Sequence, residues 1–125
     1  MTHPRALLLS LLLLTGAANA GPVVHIVLLW LQQPGNSEQR QQLIAASKTL
    51  RTIPGIQRLQ LGETLPGERS IVDDSFDIAL VFTFEDAASL RAYLTHPQHR
   101  RVVEQDIKPL VSRIRVHDFV DVMGD

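Results

Sequence analysis

Seven residues, Tyr93-Leu94-Thr95-His96-Pro97-Gln98-His99, bring one phenol and two imidazoles close together. A phenol donates a hydrogen bond, and an imidazole takes or gives a proton near neutrality. Such a set suits chemistry at a carbonyl, with an imidazole as base and the phenol steadying the oxygen. Pro97 controls how they are held. The residue before a proline is pushed out of the helical region, so His96 closes one helix. Pro97 itself suits the first turn of the next. Tyr93 then lies one turn before His96, and His99 falls in the first turn of the second helix. There the positive end of the helix dipole disfavours imidazolium and leaves His99 a neutral base. Each residue also has a plainer use. Tyr93 can be a core-edge aromatic, His99 a hydrogen-bonded helix start, and His96 a cap at the break.

A third imidazole, His25, is the one polar residue in the apolar run Val23–Leu31. It needs a partner or a cavity. The three histidines have no familiar metal-ligand spacing, and no glycine-rich phosphate loop or Ser-His-Asp set is present. No metal and no cofactor are therefore expected.

The elements that must position these groups follow from periodicity. Val23–Leu31 reads as a strand that is apolar on both faces, His25, Val27, Leu29 and Leu31 on one and Val24, Ile26, Leu28 and Trp30 on the other. Asn36 with Gln39 three residues on signals a helix start. Leu43, Ile44, Ala46, Ser47 and Leu50 recur at helical spacing, with Arg40, Lys48 and Arg51 facing out, until Pro54-Gly55 ends the helix. Residues 56–63 alternate as a second strand, and 64–74 read as an exposed loop. Residues 76–84 are the clearest strand, with Phe76, Ile78, Leu80, Phe82 and Phe84 on one face. Asp86 caps a helix through Leu94. A second helix runs from Pro97 to near Pro109, and residues 114–120 form the last strand, with Arg113, Arg115, His117 and Phe119 on one side.

The order strand, helix, strand, strand, helix, strand predicts an α+β fold, the ferredoxin-like split βαβ arrangement with both helices on one face of an antiparallel sheet. The helices cannot also cover Val24, Ile26, Leu28 and Trp30, so a homodimer through the open sheet face is expected.

At the N-terminus, Arg5 precedes the apolar stretch Ala6–Leu14, and Ala18-Asn19-Ala20 has the small-x-small pattern of a cleavage site. Residues 1–20 therefore read as a signal peptide, with a periplasmic or secreted domain at 21–125. The apolar stretch is about half the length of a spanning helix, so no membrane is expected after cleavage. Of 125 residues, 105 remain once the first 20 are lost; Arg5 is the one charge removed, taking 12 basic groups to 11 against 13 acidic. That balance offers no basic face for nucleic acid. The chain has no cysteine, so stability must come from packing and from oligomer contacts.

The run Val23-Val24-His25-Ile26-Val27, the strand end Phe82-Thr83-Phe84-Glu85, and above all Tyr93-x-x-His96-Pro97-x-His99 resemble the stress-responsive A/B barrel domain, of the dimeric α/β barrel group. Lys108-Pro109 and the closing Asp118-Phe119 are similar too. The resemblance implies ferredoxin-like protomers paired through their sheets, each with a cavity between sheet and helices. A plant branch similar to olivetolic acid cyclase closes polyketide chains by an aldol step with a tyrosine and a histidine. Those positions match Tyr93 and His99, and its strand histidine matches His25. The first helix departs from that branch, with Leu43, Ile44 and Ser47 on its cavity side. The expected cavity contacts are His25, Val27, Leu29, Leu43, Ser47, Leu80 and His96. Three functions fit: a binder of a small apolar ligand, an acid–base enzyme of cyclase, aldolase or isomerase type using Tyr93 and His99, or a stress-linked interaction protein without catalysis.

Overall fold

Strand β1, Val23–Leu31, decides the architecture. Val23, His25, Leu29 and Leu31 are buried, while Val24, Ile26, Leu28 and Trp30 on the opposite face are half-exposed. The computed structural model describes Thr2 and residues 21–124. The expected signal peptide at 1–20 lies, Thr2 apart, outside the described residues. No helix among the described residues is long and apolar enough to cross a membrane.

Helix α1, Ser37–Thr49, starts where the Asn36 side chain accepts from the Gln39 N–H at 3.0 Å. It tightens into a 3-10 turn, Leu50–Thr52, and Gly55, at φ +96°, turns the chain into β2, Ile56–Glu63. Strand β3 spans Ile78–Phe84, two residues shorter than its apolar pattern suggests. The Asp77 carboxylate accepts from the Leu31 N–H and the Arg40 guanidinium, both at 2.8 Å. Arg40 thus leans inward, against the expectation that it faces solvent, because Asp77 offers it a half-buried charge partner. Asp86 caps α2, Ala87–Thr95, by accepting from the Ser89 N–H at 2.8 Å.

His96 sits in the extended region (φ −64°, ψ 135°), as a residue before proline must. Its Nδ1 accepts from the Gln98 N–H at 3.1 Å and so caps α3, Pro97–Arg101. The Gln98 amide donates to the Thr49 carbonyl at 3.1 Å and to Thr52 Oγ1 at 2.9 Å, tying α3 to the end of α1. The expected second helix does not continue as one α-helix. Residues Val102–Ile107 are π-helical and Lys108–Leu110 form a 3-10 turn before β4, Val111–Val120.

The sheet order is β2-β3-β1-β4, all antiparallel, with β1 and β3 inside and two free edges. This is the ferredoxin-like arrangement predicted. The core lies between the sheet and the helices, around Leu29, Leu43, Ile78, Phe82, Phe84 and Tyr93. The other face has an apolar centre of Val24, Ile26, Leu28, Ala79 and Val81, flanked by Arg58 and Gln60 on β2 and by Arg113, Arg115 and His117 on β4. Its strands carry cations at the edges and no carboxylate. Trp30 on this face is half-covered within the protomer. The Arg113 guanidinium lies 4.6 Å over its ring, and its Nε1–H donates to Ser75 Oγ at 3.1 Å.

Candidate functional site

Between sheet and helices lies a cavity of about 170 Å³. Its sheet wall is His25, Val27 and Leu29 of β1, Leu80 and Phe82 of β3, and Ile114 and Val116 of β4. Its helical wall includes Leu94, His99, Val103 and Ile107. His99, Val103 and Ile107 are four residues apart, and the wider turn of a π-helix keeps such a spacing on one side better than an α-helix does. The cavity opens beside the free edge of β4, where Ile114 is 37 % and Val116 45 % exposed. Among the described residues its wall has no lysine, arginine or carboxylate, and the two imidazoles are its polar side chains.

His25 is 4 % exposed and sits opposite Asp118 in the β1–β4 ladder. Its Nδ1 and the Asp118 carboxylate are 2.5 Å apart. The carboxylate holds the proton on Nδ1, orients the ring and leaves Nε2 as the free nitrogen. No carboxylate neighbours His25 in sequence, and sequence reading missed Asp118 as its partner. The ring rests 5.5 Å from Phe82 and 6.1 Å from Tyr93, between centroids.

His99 packs edge-on against Tyr93, centroids 4.6 Å apart. Its Nδ1 is buried without a hydrogen-bond partner among the described residues. Burial pushes the imidazole below its ordinary value; His25, Arg100 and His96 add to the effect, and the Leu94 backbone opposes it. The direction is the one expected, but desolvation leads rather than the dipole of α3, a helix of only five residues. An unfolded chain binds this proton more tightly, so His99 favours the fold above the ordinary value of 6.5 and loses that contribution as pH falls below it. Urea midpoints measured as pH falls through that value are expected to drop more steeply for the wild type than for His99→Gln. Equal slopes would mean that the imidazole is not held neutral.

Tyr93 is 1 % exposed and does not line the cavity. It is the hub of a buried aromatic cluster, its centroid 5.1 Å from Phe82 and 5.2 Å from Phe84. Burial raises its phenol well above the ordinary value, so it stays protonated. Its ring packs against both imidazoles.

Of the other expected contacts, Val27, Leu29 and Leu80 lie on the wall with His25, whereas Leu43, Ser47 and His96 do not. Leu43 is wholly buried in the core, and Ser47 Oγ donates to the Leu43 carbonyl at 2.7 Å, which turns its hydroxyl back onto α1. His96 spends its Nδ1 on the α3 cap. Among the described residues no three His, Asp or Glu side chains gather to hold a metal ion.

The fold is shared with solved structures. A hydroxynitrile lyase from Passiflora edulis superposes with a TM-score of 0.72 at 20% identity, over 85% of this chain and 98% of that one. A Dabb family protein with a ferredoxin-like fold from Mesorhizobium loti gives 0.67 at 22% identity, over 82% and 98%. A dimeric ferredoxin-like protein of unknown function from Thermobifida fusca gives 0.65 at 24% identity, over 82% and 92%. No curated protein matches the chain in sequence. Residues 23–121, from the first residue of β1 to just past the last of β4, match the Dabb family model, and the chain belongs to the stress responsive A/B barrel domain family.

Proposed function

We propose that the protein binds a small, neutral, largely apolar molecule with one carbonyl oxygen in this cavity, and moves a proton at the carbon beside it. The observation that carries this reading is the Asp118–His25 pair set into an otherwise apolar wall. Nε2 of His25 takes the proton, and the Asp118 carboxylate stabilises the imidazolium that results. His99, held neutral by burial, hydrogen-bonds the oxygen as charge develops there. With no cation on the wall, a carboxylate or phosphate ligand would lose its hydration without compensation. That the Passiflora edulis structure is a hydroxynitrile lyase supports catalysis on this fold, by analogy of fold.

Cyclohexanone in deuterated water tests the proposal, because its α-protons exchange through the enolate. The wild type is expected to bind it and to speed the exchange seen by proton NMR. His25→Ala should abolish the acceleration, and Asp118→Asn should reduce it by about a hundredfold or more. Binding without exchange would favour the second reading, a carrier of small apolar molecules. That reading draws on the enclosing wall of aliphatic side chains.

The working unit in this proposal is a homodimer joined through the open sheet face, whose apolar centre needs cover. Residues 1–20 as a signal peptide place it in the periplasm or outside the cell; the intact mass of the secreted protein, starting at Gly21, tests that.

A further inference from the structure

A second concavity of the protomer lies away from the imidazoles. It is a groove of about 680 Å³ between α1 and the free edge strand β2. Ile44, Leu59 and Leu61 form its floor, half-buried and packed on the core. Lys48 and Arg51 follow Ile44 on one ridge of α1 and its 3-10 extension. Neither of these two cations is in an ion pair among the described residues. At the other end the charges are matched. Arg40 is 2.8 Å from Asp77 and 3.9 Å from Glu63.

We propose that this groove is a second site, which takes a single-headed anionic amphiphile of the fatty-carboxylate class. The head meets Lys48 and Arg51, and the alkyl chain lies along Ile44, Leu59 and Leu61 toward the neutralised end. Each part of the groove then has a use. A free phosphate would leave the apolar floor wet, and a neutral lipid would leave the two cations unmatched. A peptide added to the edge of β2 would bind through backbone hydrogen bonds and would not need them. Nucleic acid is a poor fit, because two cations with no aromatic platform make a weak track in a chain of net charge −1. The proposal is independent of the cavity chemistry, whose wall holds no cation to receive the head group.

The test titrates the purified protein with decanoate, below its micelle concentration, and follows isoleucine and leucine methyl signals by NMR. Decanol is the neutral control. Decanoate is expected to shift Ile44, Leu59 and Leu61, to bind more weakly as salt rises, and to bind about tenfold more weakly to Lys48→Glu/Arg51→Glu. Decanol should bind that variant as it binds the wild type. Unchanged affinity in the variant would overturn the proposal. So would shifts confined to Leu29, Leu80 and Ile114, which would place the ligand in the imidazole cavity. No shift at all, with a changed sedimentation coefficient in the variant, would overturn it as well and make the groove a contact between copies.

Discussion

Phe82→Ala is expected to destabilise the protein by about 3–5 kcal/mol, the range for removing a buried phenylalanine ring. Phe82 is fully buried in the middle of β3 and lies opposite both His25 and Leu59 in the ladders. Its ring stacks on Phe84 at 6.2 Å and tilts against Tyr93 at 5.1 Å, so one side chain joins sheet, α2 and cavity wall. Truncation leaves a void beside a cavity that already exists, where little can collapse inward. Urea unfolding at one fixed protein concentration should show the midpoint falling with the slope unchanged. Phe82→Leu, which keeps most of the volume, should lose much less. A loss below about 1 kcal/mol in the alanine variant would show that the ring does not hold these layers together.

Leu28→Arg is expected to weaken self-association by more than about a thousandfold. A buried charge without a partner costs about 3–5 kcal/mol, and a two-fold interface meets the substitution twice. The setting makes it worse. Leu28 lies between Ala79 and Arg115, so the new guanidinium has a like charge on one side and nothing polar on the other. The edge cations Arg58, Arg113 and Arg115 can stay at a solvated rim when two such faces meet, but position 28 cannot. Sedimentation velocity should show the variant as monomer or as aggregate. A folded wild-type monomer at micromolar concentration would overturn the dimer, as would a variant that sediments like the wild type.

The architecture was legible because three strands carry clear period-two patterns and two helices have capping residues. The split βαβ order then leaves one sensible sheet. The corner at His96-Pro97 was legible for a similar reason, since proline restricts its neighbour whatever the rest of the fold does. Three features were not. Asp118 is 93 residues from His25, and only the register of β1 on β4 makes them a pair. Aligning Val23 with Val120 would have found it, because counting two residues inward from each end reaches His25 and Asp118. The π-helical stretch Val102–Ile107 has no local signal; it is the way the chain fits between α3 and the 3-10 turn at Pro109. Ser47 and Leu43 share the apolar side of α1 with residues nearer the cavity, and helical period alone does not say which part of that side meets empty space.

The placement of β1 has a consequence for how the chain is made. It is the first strand of the domain to emerge, yet it lies inside the sheet between β3 and β4, and Asp121 N–H closes the ladder onto the Pro22 carbonyl at 2.8 Å. Both its partners follow β2 in sequence, and β4 is the last of the four strands. The apolar run Val23–Leu31 therefore waits, unpaired on one side, until β4 has been made. Contacts of such long sequence separation make folding slow, and an exposed apolar strand in the meantime invites chaperones or wrong partners. Folding yield should thus depend on what shields this one strand during and just after synthesis.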